Sequence, residues 1–432
     1  MKFQPPKGTK DYLPEEMIQR EFVINTIKKI FETYGFDTIE TPAFEDWKLL
    51  TKKCGEEIKE QIYKFKDKAG RLLGLRFDLT VPLARFIANN PQISKPFKRY
   101  VIAPVWRYEE IKAGRKRQFY QCDIDIVGVK EMEAEAECLA CAVDCLKALG
   151  FKDFQIVINN RKILEGFLEL ASIPKEKSLD VFRAIDKLKK FGENFVKKEL
   201  KKLKIKDKQI KELFKLINLR GNTPEILEKA REILKGVKIA EEGIEEIEKI
   251  YELSKSYDFS NFLIVDLSLA RGLDYYTGPI FEIIAKTEKQ IGSIAGGGRY
   301  DNLIGLLGGA SNPATGISFG IERIVEVMKE EMLNLPKTKV KVFVVNVNFS
   351  TKSEAIRIAQ ELRKNGINTQ IDLMNRNITR QLEYCDSIGI PLAVIVGPKE
   401  IGSGIIKVKD LVKRKEFEVK MDELIDFLKK FT

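Results

Sequence analysis

The chain has 432 residues, 44% of them apolar, and a formal charge of +11 from 75 basic and 64 acidic side chains. That length suggests two or three domains of about 150 residues; no apolar run approaches the ~20 residues of a membrane span, and the polar start MKFQPPKGTKDYLPEE is not secretory in character, so a soluble cytoplasmic protein is expected. Histidine is absent altogether, which excludes a histidine base, nucleophile or metal ligand and leaves any chemistry to carboxylates, Arg, Lys, Tyr, Cys or the substrate's own groups.

Residues 1–160 read as mixed α/β. Pro14-Glu15-Glu16 opens a helix, because proline suits the first turn and acids suit the positive end of the helix dipole. Met17, Phe22, Ile24, Ile27, Ile30 and Phe31 recur at helical spacing, and Gly35 closes the helix. FDTIETPAF is extended and, containing Pro42, fits an edge strand. LLGLRFDLT, RYVIAPVWRYEE and QFYQCDIDIVG read as strands. The six cysteines are Cys54, Cys122, Cys138, Cys141, Cys145 and Cys385. Cys138, Cys141 and Cys145 share one helical face; with no second CxxC and no histidine, a buried face is favoured over a zinc site.

Over residues 161–259 glycine thins out, and Lys, Glu, Leu and Ile dominate at helical spacing, as in a helical insertion. Its segment FVKKELKKLKIKDKQIKELFKLI is a basic amphipathic helix pair, read as solvated faces with RNA contact as the alternative. Residues 260–333 return to strands and glycines. NLPKTK, residues 334–339, is a linker. Within residues 334–432, VKVFVVNV, NTQIDL, PLAVIVG and GIIKVKDL alternate with helices over 353–365 and 380–388, giving a compact α/β domain with parallel strands.

The strands flanking the loop IKAGRK form a hairpin carrying Arg107, Glu109, Arg115, Arg117, Phe119, Gln121 and Asp125. Residues two apart share a strand face, so Arg107 and Glu109 point one way, and Phe119, Gln121, Asp123 and Asp125 point together. Such a face suits a phosphate-bearing base; a solvent face laced with salt bridges fits the composition equally well. Three glycines precede Arg299-Tyr300-Asp301, allowing close approach to a ligand or forming a flexible loop. In ATGISFGIERI, small residues at a strand-to-helix turn precede Glu322-Arg323, and Arg323 is within reach of nucleotide phosphates there. No Walker-type or GxGxxG fingerprint competes for a nucleotide.

Taken in order, these words resemble the histidyl-tRNA synthetases, a class II family. PPKGTKDYLP is similar to that family's N-terminal signature. The first helix with FDTIETPAFE resembles motif 1, the dimer-forming element, and VWRYEEIKAGRKRQFYQCDIDIVG resembles motif 2. LARGLDYYTGPIFE and AGGGRYDNL resemble the two histidine-specific segments, and GISFGIER resembles motif 3. GIPLAVIVGPKEIGSGIIKVKDL is similar to the anticodon-binding domain. The match spans nearly the whole chain and looks closest to the archaeal and eukaryotic branch.

The resemblance implies an α/β fold: an α+β catalytic domain on a class II antiparallel sheet (residues 1–160 and 260–333), a helical insertion (161–259) and an α/β anticodon-binding domain (334–432). It implies that Arg107 holds the ATP α-phosphate, Glu109 the adenine amine and Arg115 the outer phosphates. Phe119 stacks on adenine, with Arg323 on its other face. Asp78, Thr80 and Gln121 hold the histidine amine. Asp125 and Tyr276, beside Tyr275, bracket the imidazole. Arg271 bridges the substrate carboxylate and the α-phosphate. Asp78 and Asp125 stand where bacterial members carry the longer glutamate, which leaves direct or water-mediated contact open. The implied substrates are ATP with Mg2+, L-histidine and tRNA(His), the implied assembly is a homodimer, and no metal site is expected in the protein itself.

The histidine carboxylate is an anion at neutral pH, so attack on the α-phosphorus needs no protein base, and enzyme groups are expected to titrate little between about pH 6 and 8. The rival expectations are a non-catalytic regulatory subunit of ATP phosphoribosyltransferase, a tRNA-sensing module, or a class IIa synthetase for threonine, proline or glycine. The retained Arg107, Arg271 and Arg323, the C-terminal domain, and the words LARGLDYY and GGGRYD argue against them.

Overall fold

Proline in the first turn, with Glu15 and Glu16 behind it, starts the helix Pro14–Thr33. The chain then turns at Gly35, whose φ of 73° favours glycine. Val23, Ile27 and Phe31, spaced four apart, are fully buried, and the Phe31 ring packs on Phe36, Tyr100 and Phe319. The computed structural model describes residues 3–52, 55–111, 115–271, 275–287 and 292–431. Cys54, the tip of the IKAGRK loop at residues 112–114, and residues 272–274 of the LARGLDYY word lie outside them. The chain forms two compact units, Met1–Asp11 with Val23–Asn334, and Tyr12–Phe22 with Leu335–Thr432.

In the first unit, the expected edge segment yields two short strands on either side of Pro42, β1 (Asp37–Thr38) and β2 (Phe44–Asp46). β2 joins β3 (Lys64–Lys66) and β4 (Leu72–Leu75) in a small antiparallel sheet. The sequence reads LLGLRFDLT as one strand, but the strand stops at Leu75 and a helix, Thr80–Asn89, begins within the same word. Two buried polar side chains cause the turn. Arg76 donates to the carbonyls of Thr41 and Pro104, and the Asp78 carboxylate accepts the Val81 N–H at 3.1 Å, capping the helix start.

β5 (Phe97–Trp106) and β6 (Gln118–Val127) are the expected hairpin. They are followed by β7 (Phe154–Asn160), β8 (Leu263–Val265), β9 (Pro279–Ala285), β10 (Ser293–Arg299) and β11 (Ala314–Gly320). The described strands of the large sheet run in the order β1-β5-β6-β11-β10-β9-β7-β8, antiparallel except at the parallel end pairs β1/β5 and β7/β8. A parallel pair needs a long crossover. For β7/β8 it is the helical segment from Arg161 to Ser256. The lysine-rich stretch there forms two helices, Glu193–Lys202 and Asp207–Ile217, which bury Val196, Leu200, Ile210, Leu213, Leu216 and Ile217. The helix Glu133–Ala148 packs Cys138, Cys141 and Cys145 into the core.

The second unit holds β12 (Val342–Asn346), β13 (Thr369–Ile371), β14 (Leu392–Val396), β15 (Ile405–Asp410) and β16 (Lys415–Lys420) in the order β13-β12-β14-β15-β16. The expectation of parallel strands holds for β13-β12-β14 only; β15 and β16 are antiparallel. Only residues 397–404 connect β14 to β15, too short a link for a parallel crossover.

Candidate active site

The site lies on the large sheet, where β5, β6, β11 and β10 are neighbours. Strand register fixes its layout. Arg99 on β5 faces Asp125 on β6, and Gly316 and Gly298 continue that row across β11 and β10. The next row runs Val101, Asp123, Ser318, Gly296 and Glu282. A methyl group added at Gly316 would lie 2.2 Å from an Asp125 oxygen. One added at Gly296 would meet the Arg271 guanidinium, and one at Gly298 would lie 2.9 Å from the Tyr276 ring. The glycine run is therefore sheet floor and not loop: its missing side chains make the trough into which Asp125, Arg271 and Tyr276 reach.

Two adjoining cavities occupy this trough. The outer one, about 240 Å³, is lined by Arg107, Glu109, Arg115, Phe119, Glu322 and Arg323. The inner one, about 140 Å³, is lined by Asp78, Thr80, Asp123, Asp125, Tyr275 and Tyr276. Arg107, Gln121, Arg271, Gly296 and Ser318 line both. Every residue to which the resemblance gives a binding role thus lines one chamber or the other.

The outer chamber is rich in guanidinium groups. Arg107 donates to the Phe77 carbonyl at 2.9 Å and lies 5.2 Å over the Phe119 ring. Arg115 pairs with Glu109 at 3.3 Å. Arg323 donates to the Ser293 carbonyl. Burial, then the charges of Arg115 and Arg107, push Arg323 below the usual arginine range, with Glu109 opposing. Concentrated positive charge of this kind suits a polyphosphate.

Arg271 stands between the chambers with a left-handed backbone, φ 43°, a conformation that costs free energy and concentrates at functional sites. Its guanidinium donates to the Phe281 carbonyl at 3.1 Å and lies 3.7 Å from Glu282. The segment before it is anchored from the end of β7 and the helix that follows. Asn159 donates to the carbonyls of Leu267 and Leu269, and buried Arg161 donates to that of Ala270.

The inner chamber holds three buried carboxylates. Asp78 accepts from Val81 N–H and, at 3.4 Å, from the Tyr275 hydroxyl. Asp125 takes the Tyr300 hydroxyl on one oxygen and has Arg99 2.6 Å from the other. Burial raises both, opposed by the Val81 N–H at Asp78 and by Arg99 at Asp125. Burial, opposed by Arg99 and reinforced by Asp125, pushes Asp123 to about 7. From the sequence, enzyme groups are expected to titrate little between about pH 6 and 8; with no histidine present, this desolvated carboxylate is the group pushed into that window.

Arg99, Tyr300, Ser318, Asn159 and Arg161 take part here without having been assigned from the sequence. The i, i+2 alternation places Asp123 on the site face, and GGGRYD contains Tyr300. Nothing local signals Arg99, Asn159 or Arg161. Among the described residues no group of three or more metal-ligating side chains converges; the acids facing the outer chamber are Glu109, Glu282 and Glu322.

The histidyl-tRNA synthetase family model matches residues 8–324, and the anticodon binding domain model matches residues 341–431. The chain is 38% identical to the histidine–tRNA ligase of Pyrococcus furiosus, covering 98% of both chains. It is 40% identical to that of Aeropyrum pernix, covering 98% of this chain and 97% of the other. Its fold superposes on the crystal structure of histidyl-tRNA synthetase from Nostoc sp. PCC 7120 with a TM-score of 0.89, at 32% identity and full coverage of both chains. With its glycine-floored double chamber and matches that run from end to end, this chain belongs to the histidyl-tRNA synthetase family.

Proposed function

We propose that the protein activates L-histidine with ATP to histidyl-adenylate and transfers the histidyl group to tRNA(His). The observation that carries this reading is the junction of an arginine-rich chamber with an acid-lined one at Arg271, Gln121 and Ser318. ATP fits the outer chamber. Arg107 takes the α-phosphate, Arg115 the outer phosphates and Glu109 the adenine amine, while Phe119 and Arg323 sandwich the base. Mg2+ would accompany ATP and neutralise phosphate charge, with Glu282 and Glu322 as the chamber acids left to hold it. Histidine fits the inner chamber, its amine toward Asp78, Thr80 and Gln121 and its imidazole between Asp125 and Tyr276, with Tyr275 alongside.

Arg271 then faces both anions that must meet, the substrate carboxylate and the α-phosphate. Its fixed, always-charged fork stabilises the negative charge that grows on the phosphoryl oxygens as the carboxylate attacks in line and the bond to the leaving pyrophosphate breaks. No protein base is required, because the nucleophile is already ionised. In the second step the terminal ribose hydroxyl of tRNA attacks the adenylate carbonyl, an adenylate phosphate oxygen takes the proton, and the acyl–phosphate bond breaks to release AMP. A further cavity beside Arg107, Arg115 and Arg271 is lined on the insertion side by Arg183, Lys187, Lys190 and Phe191. It offers the acceptor end a cationic approach.

Residues 1–160 with 260–333 act as the catalytic domain, 161–259 as an insertion and 334–432 as the anticodon-binding domain. The protein works as a cytoplasmic homodimer joined through its motif 1 segment; among the described residues no helix is long and apolar enough to cross a membrane. ATP–pyrophosphate exchange with each amino acid tests the reading. Exchange that depends on histidine alone is expected. Exchange with none would turn the reading to a non-catalytic subunit, and exchange with threonine, proline or glycine would give the chain a different substrate.

A further inference from the structure

We infer that Asp123, given no role above, receives the α-ammonium group of the amino-acid substrate together with the side-chain carbonyl of Gln121. The inference rests on reading the inner chamber as the histidine site and assigns the acceptor that closes it.

The three carboxylates there differ in what they have left to give. Asp78 already accepts from the Val81 N–H and the Tyr275 hydroxyl; Asp125 accepts from Tyr300, and its other oxygen, though without a hydrogen bond, is ion-paired with Arg99 at 2.6 Å. Asp123 is 4% exposed, lines the chamber, and has an Oδ1 with no hydrogen-bond partner. The Gln121 Oε1 is likewise buried and without a partner. Gln121 donates from its Nε2 to the Ser318 hydroxyl at 2.8 Å. That bond fixes the amide and turns its carbonyl away from Ser318. The two acceptors sit on successive residues of one strand face and line the same chamber.

An ammonium has three donors and no acceptor, which matches an acceptor-only pair. An imidazole brings one donor and one acceptor, and matches a carboxylate opposite a hydroxyl, as at Asp125 and Tyr276. Position agrees. Arg107 and Arg271 line both chambers and draw the substrate carboxylate to that boundary. The α-nitrogen, two bonds from the carboxyl carbon, then falls beside Gln121 and Asp123, short of Asp125. The charged groups facing Asp123 are Arg99, Asp125, Asp78, Arg76 and Tyr276. Burial, opposed by Arg99 and reinforced by Asp125 and Asp78, raises the free carboxyl to about 7, and an arriving cation would drive its proton off.

The test is calorimetric titration of the full-length Asp123→Asn variant with L-histidinol, which has the amine and the ring, and with imidazolepropionate, which lacks the amine. The substituted amide can still accept but carries no charge. Histidinol affinity at pH 8 should fall by about 10- to 100-fold, the range for a hydrogen bond between charged partners, while imidazolepropionate should change less than about threefold. Equal losses for both ligands would assign Asp123 to the ring, and no loss for either would remove it from the site; both overturn the inference. A second measurement needs no variant. At pH 7, in buffers of different ionisation enthalpy and with each ligand's own ring-proton loss subtracted, histidinol should release a fraction of a proton per site on binding to the native protein, given a carboxyl raised to about 7, and imidazolepropionate should not. Equal release by the two ligands would overturn the inference even if Asp123→Asn does not fold. A native protein that binds neither ligand would instead overturn the reading of the chamber, and the inference with it.

Discussion

Replacing Asp125 by asparagine removes the carboxylate paired with a buried guanidinium and leaves only Asp123, itself raised to about 7, to balance it. Arg99 is fully buried, and its Nη2 lies 2.6 Å from Asp125. Its remaining hydrogen bond runs from Nη2 to the Leu79 carbonyl at 3.3 Å, while Nε and Nη1 have no acceptor. Breaking a buried pair from one side typically costs about 3–5 kcal/mol, because the stranded charge stays desolvated. Both tryptophans, Trp47 and Trp106, lie in the unit that carries the pair. Urea unfolding followed by tryptophan fluorescence therefore reports on that unit. The midpoint should fall at unchanged slope by the equivalent of that loss. A double variant, Arg99→Leu with Asp125→Leu, should recover most of it, since removing both charges strands neither. In the single variant the KM for histidine should rise while that for ATP stays near native. Asp123, relieved of a like charge, should ionise at lower pH. A midpoint within about 0.5 kcal/mol of native, the range of a neutral surface change, would show that Arg99 is balanced elsewhere and sink this reasoning.

Arg271→Ala should lower histidine-dependent exchange by at least about 10²–10³-fold and leave ATP binding nearly intact, since Arg107, Arg115 and Arg323 remain; near-normal turnover would remove it from the reacting centre. Gly316→Ala puts a methyl group 2.2 Å from Asp125 and 2.5 Å from the Ile124 carbonyl; overpacking should cost about 1–3 kcal/mol in the same urea assay and weaken histidine more than ATP, and an unchanged histidine KM would mean the trough is wider than the geometry implies. Because Asp123 must ionise to take the ammonium, kcat/KM for histidine should rise with pH through about 7, while kcat at saturating histidine stays flat. The raised value also means that the ligand-free fold binds this proton more tightly than the unfolded chain. Its contribution to stability is full below about pH 4, the unfolded range, and is lost as pH rises through about 7, a change of ~4 kcal/mol; absence of that loss in urea midpoints taken from pH 4 to 8 would place Asp123 in a wetter site. The KM for tRNA in aminoacylation should rise steeply with salt, and that for histidine in exchange should barely move; equal slopes would argue against phosphate contacts.

What could be read in advance followed the reach of each signal. Strand alternation is a property of adjacent residues, so Phe119, Gln121, Asp123 and Asp125 could be put on one face from QFYQCDIDIVG alone. The helix Pro14–Thr33 likewise carries its own start and stop. The strand expected through Arg76 and Asp78 failed because two buried side chains, satisfied by distant partners, outweigh a β-prone word. The direction of β15 failed for another reason: it is set by the length of the link from β14, and not by any pattern within the strand. The glycine run was ambiguous in sequence because its meaning lies in what crosses it. Only the register of β10, β11 and β6 shows that Arg271, Tyr276 and Asp125 fill the space. Arg99 was invisible for the same cause, since its role exists only once β5 is paired to β6.

The end of the site proposed for histidine is made by subtraction as much as by supply. Gly296, Gly298 and Gly316 clear two central strands so that side chains from elsewhere can converge over them. What converges is under-satisfied: the bare oxygens of Gln121 and Asp123 each cost the empty fold about 1–3 kcal/mol. A ligand that donates to them removes that cost on binding. A phenylalanine or leucine has the same α-ammonium and would remove that part too, so the amine pair supplies affinity and cannot supply selectivity. Selectivity must come from the other end, where Asp125 and Tyr276 would be left facing a ring or chain with no N–H. A polar pocket deprived of its partner discriminates by about 10⁴–10⁵, enough without an editing domain. The two ends therefore divide the work. Damage at Asp123 should weaken every amino acid alike, whereas damage at Asp125 should narrow the gap between histidine and its apolar competitors.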